Sequence, residues 1–412
     1  MTVGHCSTLL LSDVSSIRRY IGQEIIMDVI VIGAGVGGLA VARRLLADGH
    51  TVRVFERAPE RRTGGAGLTI FPNGAAVLSD LGIDLDGVGG RIERIDARTA
   101  AGRLRTSMDL AHTAETFGFP TRSVSRRRLV ELLSDGLPDD LVRYGVACAR
   151  VTHDADSATA VFEDGTTATG DLLIGADGIH SVVRRRLWGE GTVVPASFGT
   201  WQGLSAIDID ITDTTLHYMI TGREGACGLI PAGPGMLQWW FDVRWKPADP
   251  RPDAPLEMLR RRFGHWASPV PEVLAAATED DLDFFGHRWN KVRRVWGEGR
   301  VTLLGDSAHT MPPTLGQGAN QTFEDAWVLG RELADESRSV PDRLRAYELA
   351  RRPRVNLVSQ MAKRNPANMR IPPFLGKRVP ETAQTTLLRR FSNRLNEGPL
   401  PAGERVPSGA GA

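Results

Sequence analysis

The sequence predicts an α/β protein: a parallel-sheet domain that is discontinuous along the chain, a mostly antiparallel β-sheet domain inserted into it, and C-terminal helices. Three observations predict this. A strand, a glycine-rich loop, a helix and a second strand follow one another from residue 28 to residue 56. Two later apolar runs, 171–175 and 301–304, read as further buried strands, each leading into a glycine and an aspartate. Between them the βα rhythm gives way to strand-like alternation, and eight of the nine tryptophans fall from Trp188 to Trp296.

Each element has its own justification. Residues 28–32, Asp-Val-Ile-Val-Ile, form the continuous β-branched run of a strand buried on both faces. Residues 39–47 are helical and stop at Asp48-Gly49, and 51–55 is the next strand. That is a βαβ unit, Rossmann-like in its loop. Residues 72–81 form a short helix opened by Pro72 and stopped by Gly82. Residues 91–110 make a hairpin about Gly102, 126–133 a helix, and 150–170 a second hairpin about Asp164-Gly165. The stretch 187–295 forms one wall of a cavity. Residues 322–334 and 342–363 return to helix. The first domain thus comprises 27–90, 122–186 and 296–366, and the second comprises 91–121 and 187–295. Residues 367–412 are expected to form a C-terminal helix and tail, and 1–26 a disordered extension ahead of Met27, which is read as the natural start.

At 412 residues the chain exceeds the usual domain of ~100–200 residues, so two joined domains are expected. With 42% hydrophobic and 24% charged residues it has ample core without staples. Its positive charge is nearly all arginine, because the only lysines are Lys246, Lys291, Lys363 and Lys377. That bias fits a GC-rich genome. Acidic residues balance it to a net +1, and no basic face for nucleic acid is implied. Cys6, Cys148 and Cys227 form no CxxC pair and no metal cluster, so no metal site is expected. No apolar run approaches the ~18–20 residues of a membrane span. A reducing, cytoplasmic setting is the expectation.

Three motifs carry chemistry. Gly33-Ala34-Gly35-Val36-Gly37-Gly38 fits G-x-G-x-x-G between strand and helix. Gly33 permits the tight turn, Gly35 a close backbone approach to a pyrophosphate, and Gly38 close helix–strand packing. The helix start offers bare N–H groups to phosphate. Glu56, at the end of the second strand, is placed to bond the hydroxyls of an adenosine ribose. Gly305-Asp306 ends a strand and leads through Pro312, Pro313, Gly316, Gly318, Ala319 and Asn320 into a helix. The carboxylate there can bond a polyol, and the helix start can stabilise a developing anion. Asp177-Gly178 ends the third strand.

These motifs, in this order over more than 270 residues, resemble those of the FAD-dependent aromatic hydroxylases, single-component flavoprotein monooxygenases of the para-hydroxybenzoate hydroxylase fold. Lesser features extend the resemblance over residues 28–366: Glu56-Arg57 resembles a ribose-side pair, Arg126 an FAD-contacting arginine at a helix start, and YELARRPR (347–354) the end of the domain. By length the chain is similar to the short salicylate-, urate- and tetracycline-modifying hydroxylases. The resemblance implies a Rossmann-like FAD-binding domain, with the residues of all three motifs, Glu56, Arg57 and Arg126 around the cofactor. It also implies NADPH or NADH as transient co-substrate, O2 capture as a flavin hydroperoxide, and hydroxylation of an aromatic small molecule by a monomer or homodimer. No acid–base catalytic residue is assigned, because the flavin carries the oxygen transfer. For His309 and His180 a structural role is favoured. Trp201, Gln202, Trp240 and Pro312 are the candidate pocket residues. Thr200-Trp201-Gln202-Gly203 is similar to a Trp-Arg-Gly element of the family with Gln202 in place of arginine, which favours a neutral, phenolic or polycyclic substrate over a carboxylate. Epoxidation, Baeyer–Villiger oxidation, reduction, or a non-catalytic flavin-binding protein are the alternatives. A nicotinamide dehydrogenase would explain only the first motif.

Overall fold

The computed structural model describes residues 26–61, 67–207 and 215–363. Asp28–Ile32 is the middle strand of a five-stranded sheet in the order Val301–Leu303, Leu172–Gly175, Asp28–Ile32, Thr51–Glu56, Val142–Tyr144. Every pairing in it is parallel. The predicted strands therefore assemble with the N-terminal one in the centre, and the short edge strand Val142–Tyr144 is an addition. Side chains of Asp28–Ile32 are buried on both faces, as its unbroken apolar run requires. Helix Val36–Ala47 packs with Gly318–Leu333, and Gly37 permits the approach: a Cβ there would lie 2.6 Å from Thr322 Cγ2.

The hairpin about Asp164-Gly165 pairs Ala158–Phe162 with Thr167–Gly170, and Cys148–His153 adds a third antiparallel strand. A second small sheet joins Gly67–Ile70, Thr121–Ser125 and Gly90–Ile92.

The inserted part is a seven-stranded sheet in the order Asp283–Asn290, Val193–Ala206, Met236–Arg244, Ala226–Pro231, Leu216–Thr221, Arg94–Thr99, Leu104–Asp109. The predicted hairpin about Gly102 supplies its last two strands. All pairings are antiparallel except Leu216–Thr221 with Arg94–Thr99. Helices Pro255–Phe263 and Val270–Ala276 cover one face, over a core that includes Trp239, Phe241 and Phe263. Alternation sends Gln238, Trp240 and Asp242 to the other face. There Gln238 Nε2 donates to the Gly67 carbonyl at 2.8 Å and its Oε1 accepts from Ser123 Oγ at 2.8 Å, so this face looks onto the nucleotide-binding part. The expected extension 1–26 (but for Ile26) and C-terminal helix 367–412 lie outside the described residues.

Candidate active site

The glycine loop is shaped by a close approach. Gly33 has φ +105°, and a Cβ there would lie 2.5 Å from the Ala176 carbonyl oxygen, so the loop and the Asp177 segment touch through backbone. Glu56 Oε2 accepts from the Ala34 amide at 2.9 Å and Oε1 from the Ala58 amide at 2.9 Å. Glu56 is thus first of all the brace of the turn. Above Gly35 the space is open, since a Cβ would meet nothing within 4 Å. Val36 begins the helix, whose first amides have no intrahelical partner. Arg57 is exposed beside this loop. It stands near enough to His180 to lower the imidazole pKa, together with burial, the largest cause, and Arg288. His180 is itself exposed rather than built into the core.

The Asp177 and Asp306 segments are tied together by a residue whose role the sequence did not disclose. Arg184 is buried on helix Val182–Trp188. Its Nη1 donates to the Asp306 and Ser307 carbonyls, both at 3.1 Å, and its Nη2 to the Ile179 carbonyl. Ser307 Oγ adds a bond to the Gly175 carbonyl at 2.5 Å. Asp177 Oδ2 accepts from the Val182 amide at 2.7 Å, while Oδ1 is buried without a partner. Desolvation pushes the Asp177 carboxyl up, against bonds from Ser181 and the Val183 and Val182 amides. Asp306 is exposed in surface terms but hemmed in by protein. Desolvation raises its pKa against the pull of His309, Arg126 and Arg184. Arg126, exposed at the start of Arg126–Ser134, is therefore drawn electrostatically to the Asp306 segment.

Gly305, at φ +64°, donates its amide to Asp325 Oδ2 at 2.9 Å. Asp325 also meets His309 Nε2 at 2.6 Å and Arg351 Nε at 2.7 Å. Arg351 Nη1 reaches Glu324 Oε2 at 2.5 Å, which Arg354 joins at 2.8 Å. Burial pushes the Asp325 carboxyl up, but His309 and Arg351 outweigh it and hold it below its ordinary value. His309 is consequently a fully buried structural group. The YELARRPR stretch acquires a physical purpose: Arg351 pairs Asp325, the carboxylate that holds the Gly305 amide, and shares the adjacent Glu324 with Arg354.

Pro312 is buried and Pro313 exposed at the turn Pro313–Leu315, followed by Gly316 at φ +62°. Gly318 and Ala319 begin the motif helix half-buried, and a Cβ at Gly318 would meet nothing within 4 Å. Asn320 spends its side chain on the protein: Nδ2 donates to the Thr69 and Gly316 carbonyls at 2.9 and 2.8 Å, and Oδ1 accepts from the Phe71 amide at 2.9 Å. What it leaves to a ligand is its backbone.

The sheet wall separates the pocket candidates. Trp201 is 6% exposed and packs on Phe284, centroids 4.7 Å apart, on the helix-covered face, so it belongs to the core and does not line the cavity. Its neighbour Gln202 points the other way, opposite Trp240 in register, and both are half-buried. The Trp240 indole lies across Gly228, where a Cβ would come within 2.2 Å of its Cε2.

Open space over Gly35, Gly178 and Gly318, two helix starts with bare amides, and the unpartnered Asp177 Oδ1 make a cradle that fits a flavin dinucleotide. Comparison with known proteins agrees. Residues 26–362 match a family model described as FAD binding domain. The chain is 35% identical over 350 residues to the FAD-dependent urate hydroxylase of Klebsiella pneumoniae, covering 82% of this chain and 89% of that one. It is 34% identical to the 3-amino-4-hydroxybenzoate 2-monooxygenase of Streptomyces cremeus, covering 83% and 87%. The crystal structure of K. pneumoniae HpxO complexed with FAD and uric acid superposes with a TM-score of 0.77 at 30% identity, covering 90% and 95%.

Proposed function

The chain belongs to the FAD-dependent aromatic hydroxylase family and is a flavoprotein monooxygenase, and from that premise we propose that it hydroxylates a neutral phenolic or polycyclic aromatic small molecule, consuming O2 and NADPH or NADH. FAD supplies the activation of O2 and the transfer of one oxygen atom. The protein's own residues hold and shield. Gly33, Ala34, Gly35, Val36 and Gly38 seat the pyrophosphate, with Glu56 and Arg57 on the ribose side. Asp177, Arg126, Gly305 and Asp306 flank the flavin's linker. Pro313, Gly316, Gly318, Ala319 and Asn320 present the helix start that stabilises negative charge on the flavin ring. The Trp240 indole on the sheet face and buried Pro312 help keep water from the reacting centre.

The observation that carries the substrate class is the wall made by the Trp240 indole packed against Gly228 with the neutral amide of Gln202 in register beside it. An aromatic shelf suits a planar ring, and an amide offers hydrogen bonds without a counter-charge. The cytoplasm, which supplies nicotinamide nucleotide, is the setting this chemistry needs, and the protein acts as a monomer or homodimer. The test is steady-state oxidation of NADPH and NADH by the yellow holoenzyme with neutral phenols, polycyclic aromatics and simple benzoates. Stimulation by the first two groups is expected. Tight binding and stimulation by benzoates alone would overturn the reading.

A further inference from the structure

The wall carries a carboxylate that cofactor binding does not use. Trp240 and Asp242 are two residues apart on Met236–Arg244, so their side chains leave the same face, about 6.6 Å apart along the strand. Two cross-strand rows therefore lie side by side. Gln202, Trp240, Gly228 and Met219 make one, and Thr200, Asp242, Ala226 and Thr221 make the next. Trp240 packs over Gly228, and beside it the second row has only the methyl of Ala226 between Asp242 and Thr221. That leaves a recess with polar edges next to the indole. Both rows span the cradle between two ties to the cofactor domain. On one side Gln238 bonds Gly67 and Ser123, and on the other the Asn290 amide donates to the Thr310 carbonyl at 3.1 Å, two residues ahead of Pro312.

Asp242 is half-buried, and among the described residues no positive group faces it. Its one hydrogen bond there comes from Thr200 Oγ1, which lies 2.5 Å from Oδ1 and 2.6 Å from His287 Nε2. An ionised carboxylate only accepts, so the hydroxyl proton goes to Asp242 and the Thr200 oxygen accepts from His287. Oδ1 is turned to Thr200 on one neighbouring strand, and Oδ2 is left as a charged acceptor on the side of Ala226, on the other. An enclosed carboxylate with one donor and no counter-charge is costly, and it calls for a ligand that donates.

We propose that Asp242 is a specificity-determining residue whose Oδ2 accepts an N–H of an amino group borne by the aromatic ring that lies on Trp240. This rests on the monooxygenase reading and narrows its neutral substrate to an arylamine. An amino group brings two protons for two acceptors, Asp242 Oδ2 and Thr221 Oγ1. Its lone pair is delocalised into the ring and asks for no donor, whereas a phenol brings one proton and an oxygen that needs one. The bond transfers no proton, and the amino group makes the ring electron-rich, as an electrophilic oxygen requires.

Burial pushes Asp242 up to about 7, against the Thr200 bond. The bond to the amine is therefore present above that value and lost as the carboxyl takes up a proton below it. The other titratable and charged groups around it are few. Burial pushes His287 down to about 4, so it stays neutral, and holds the Cys227 thiol, on the opposite face, far up. Arg244 is exposed two residues on, Asp283 and Arg288 lie on the His287 strand, and Arg223 and Glu224 stand in the turn ahead of Ala226.

The experiment titrates the FAD-loaded protein at pH 8 with 2-aminonaphthalene, 2-naphthol and 2-methylnaphthalene, three ligands of one shape, and reads binding from the perturbed visible flavin band. The amine is expected to bind 10-fold or more tightly than the methyl compound, the scale of a hydrogen bond to a charged group, and more tightly than the naphthol. The preference should fade between pH 8 and 6. Asp242→Leu keeps the size of the side chain and removes a charge without a partner, so it should retain flavin and lose the preference. In Asp242→Asn the preference should fall several-fold and no longer vary with pH. Equal binding of amine and methyl compounds, tighter binding of the naphthol, or a preference that survives Asp242→Leu would overturn the proposal. NADPH oxidation is followed with the same three ligands. Stimulation by the naphthol and not by the amine overturns the amine subsite and leaves the monooxygenase reading standing, while a missing flavin band in the unmodified protein would sink both.

Discussion

Single side chains on the sheet face decide what the cavity accepts. Gln202 is the one whose exchange has a directed consequence. Gln202→Arg would place a guanidinium beside Trp240, where it can pair a carboxylate bidentately. The expected outcome is a KM for simple benzoates lower by 10-fold or more, in line with about 1.5–3 kcal/mol for a hydrogen bond to a charged group. Neutral phenols should lose ground. Steady-state kinetics on both classes checks it, and unchanged selectivity would place the substrate away from Gln202. His217 and His287 carry a second consequence. Burial pushes His217 down to about 3 and His287 to about 4. A depressed folded pKa means stability that is intact above the unfolded value of roughly 6.5 and is lost as pH falls toward the folded value. Each histidine should therefore steepen acid destabilisation between pH 6.5 and 4 by at most about 1.4 kcal/mol per pH unit. His217, whose two ring nitrogens lack partners, is the cleaner test. His217→Phe should flatten the decline in urea midpoint between pH 7.5 and 5, and an unaltered slope would show that His217 does not protonate on unfolding there.

At the scale of elements, the motif helix Gly318–Leu333 and the long helix Val340–Lys363 are joined by buried charge rather than by apolar packing alone. Arg351 is 2% exposed, while Glu324 and Asp325 are fully buried. Removing one partner of such a set leaves the others uncompensated, at about 3–5 kcal/mol. Arg351→Met is predicted to cost that much in urea unfolding. It should also purify with less FAD, because Asp325, which holds the Gly305 amide, loses its counter-charge. A destabilised variant that retains full FAD would disconnect the network from the turn. The same elements show what was legible in advance. Residues 28–32, 171–175 and 301–304 announce buried parallel strands because a short, largely apolar run that ends at a glycine turn has few other uses, and the glycine loop announces its turn through residue type. Helix 318–333 begins four residues ahead of the expected 322, because glycines 316 and 318 read as loop although only Gly316 adopts a left-handed conformation. Trp201 and Gln202 were both pocket candidates, yet neighbours on a strand face opposite ways, and only the pairing register tells which one meets the cavity. Arg184 closes the Asp177-Gly178 motif in the sequence, but its clamping role was not legible there, because its partners are backbone carbonyls, two of them 122 and 123 residues away, which leave no trace in residue type.

For the whole molecule the question is whether cofactor domain and sheet domain unfold as one. Chain connectivity favours it, since the first domain is completed only after the chain has left it for the inserted sheet and returned to add Val301–Leu303 to the parallel sheet. Polar ties run between the two as well. Gln238 bonds Gly67 and Ser123, and Asn290 Nδ2 donates to the Ala308 carbonyl at 2.8 Å. The probes are built in. Six of the nine tryptophans, from Trp201 to Trp289, report on the inserted sheet, and flavin release reports on the cradle. Coupled halves should give coincident urea transitions by tryptophan fluorescence and by flavin release. Added FAD should then move both together, by about 2.7 kcal/mol at 100-fold excess over its dissociation constant. Were the fluorescence transition to come first and ignore FAD, the sheet would be an independent folding unit. The wall bearing Trp240 could then shift relative to the flavin during turnover. Were both to move as one, the distance between wall and flavin is set by the fold itself, and substrate choice rests on the side chains of that wall.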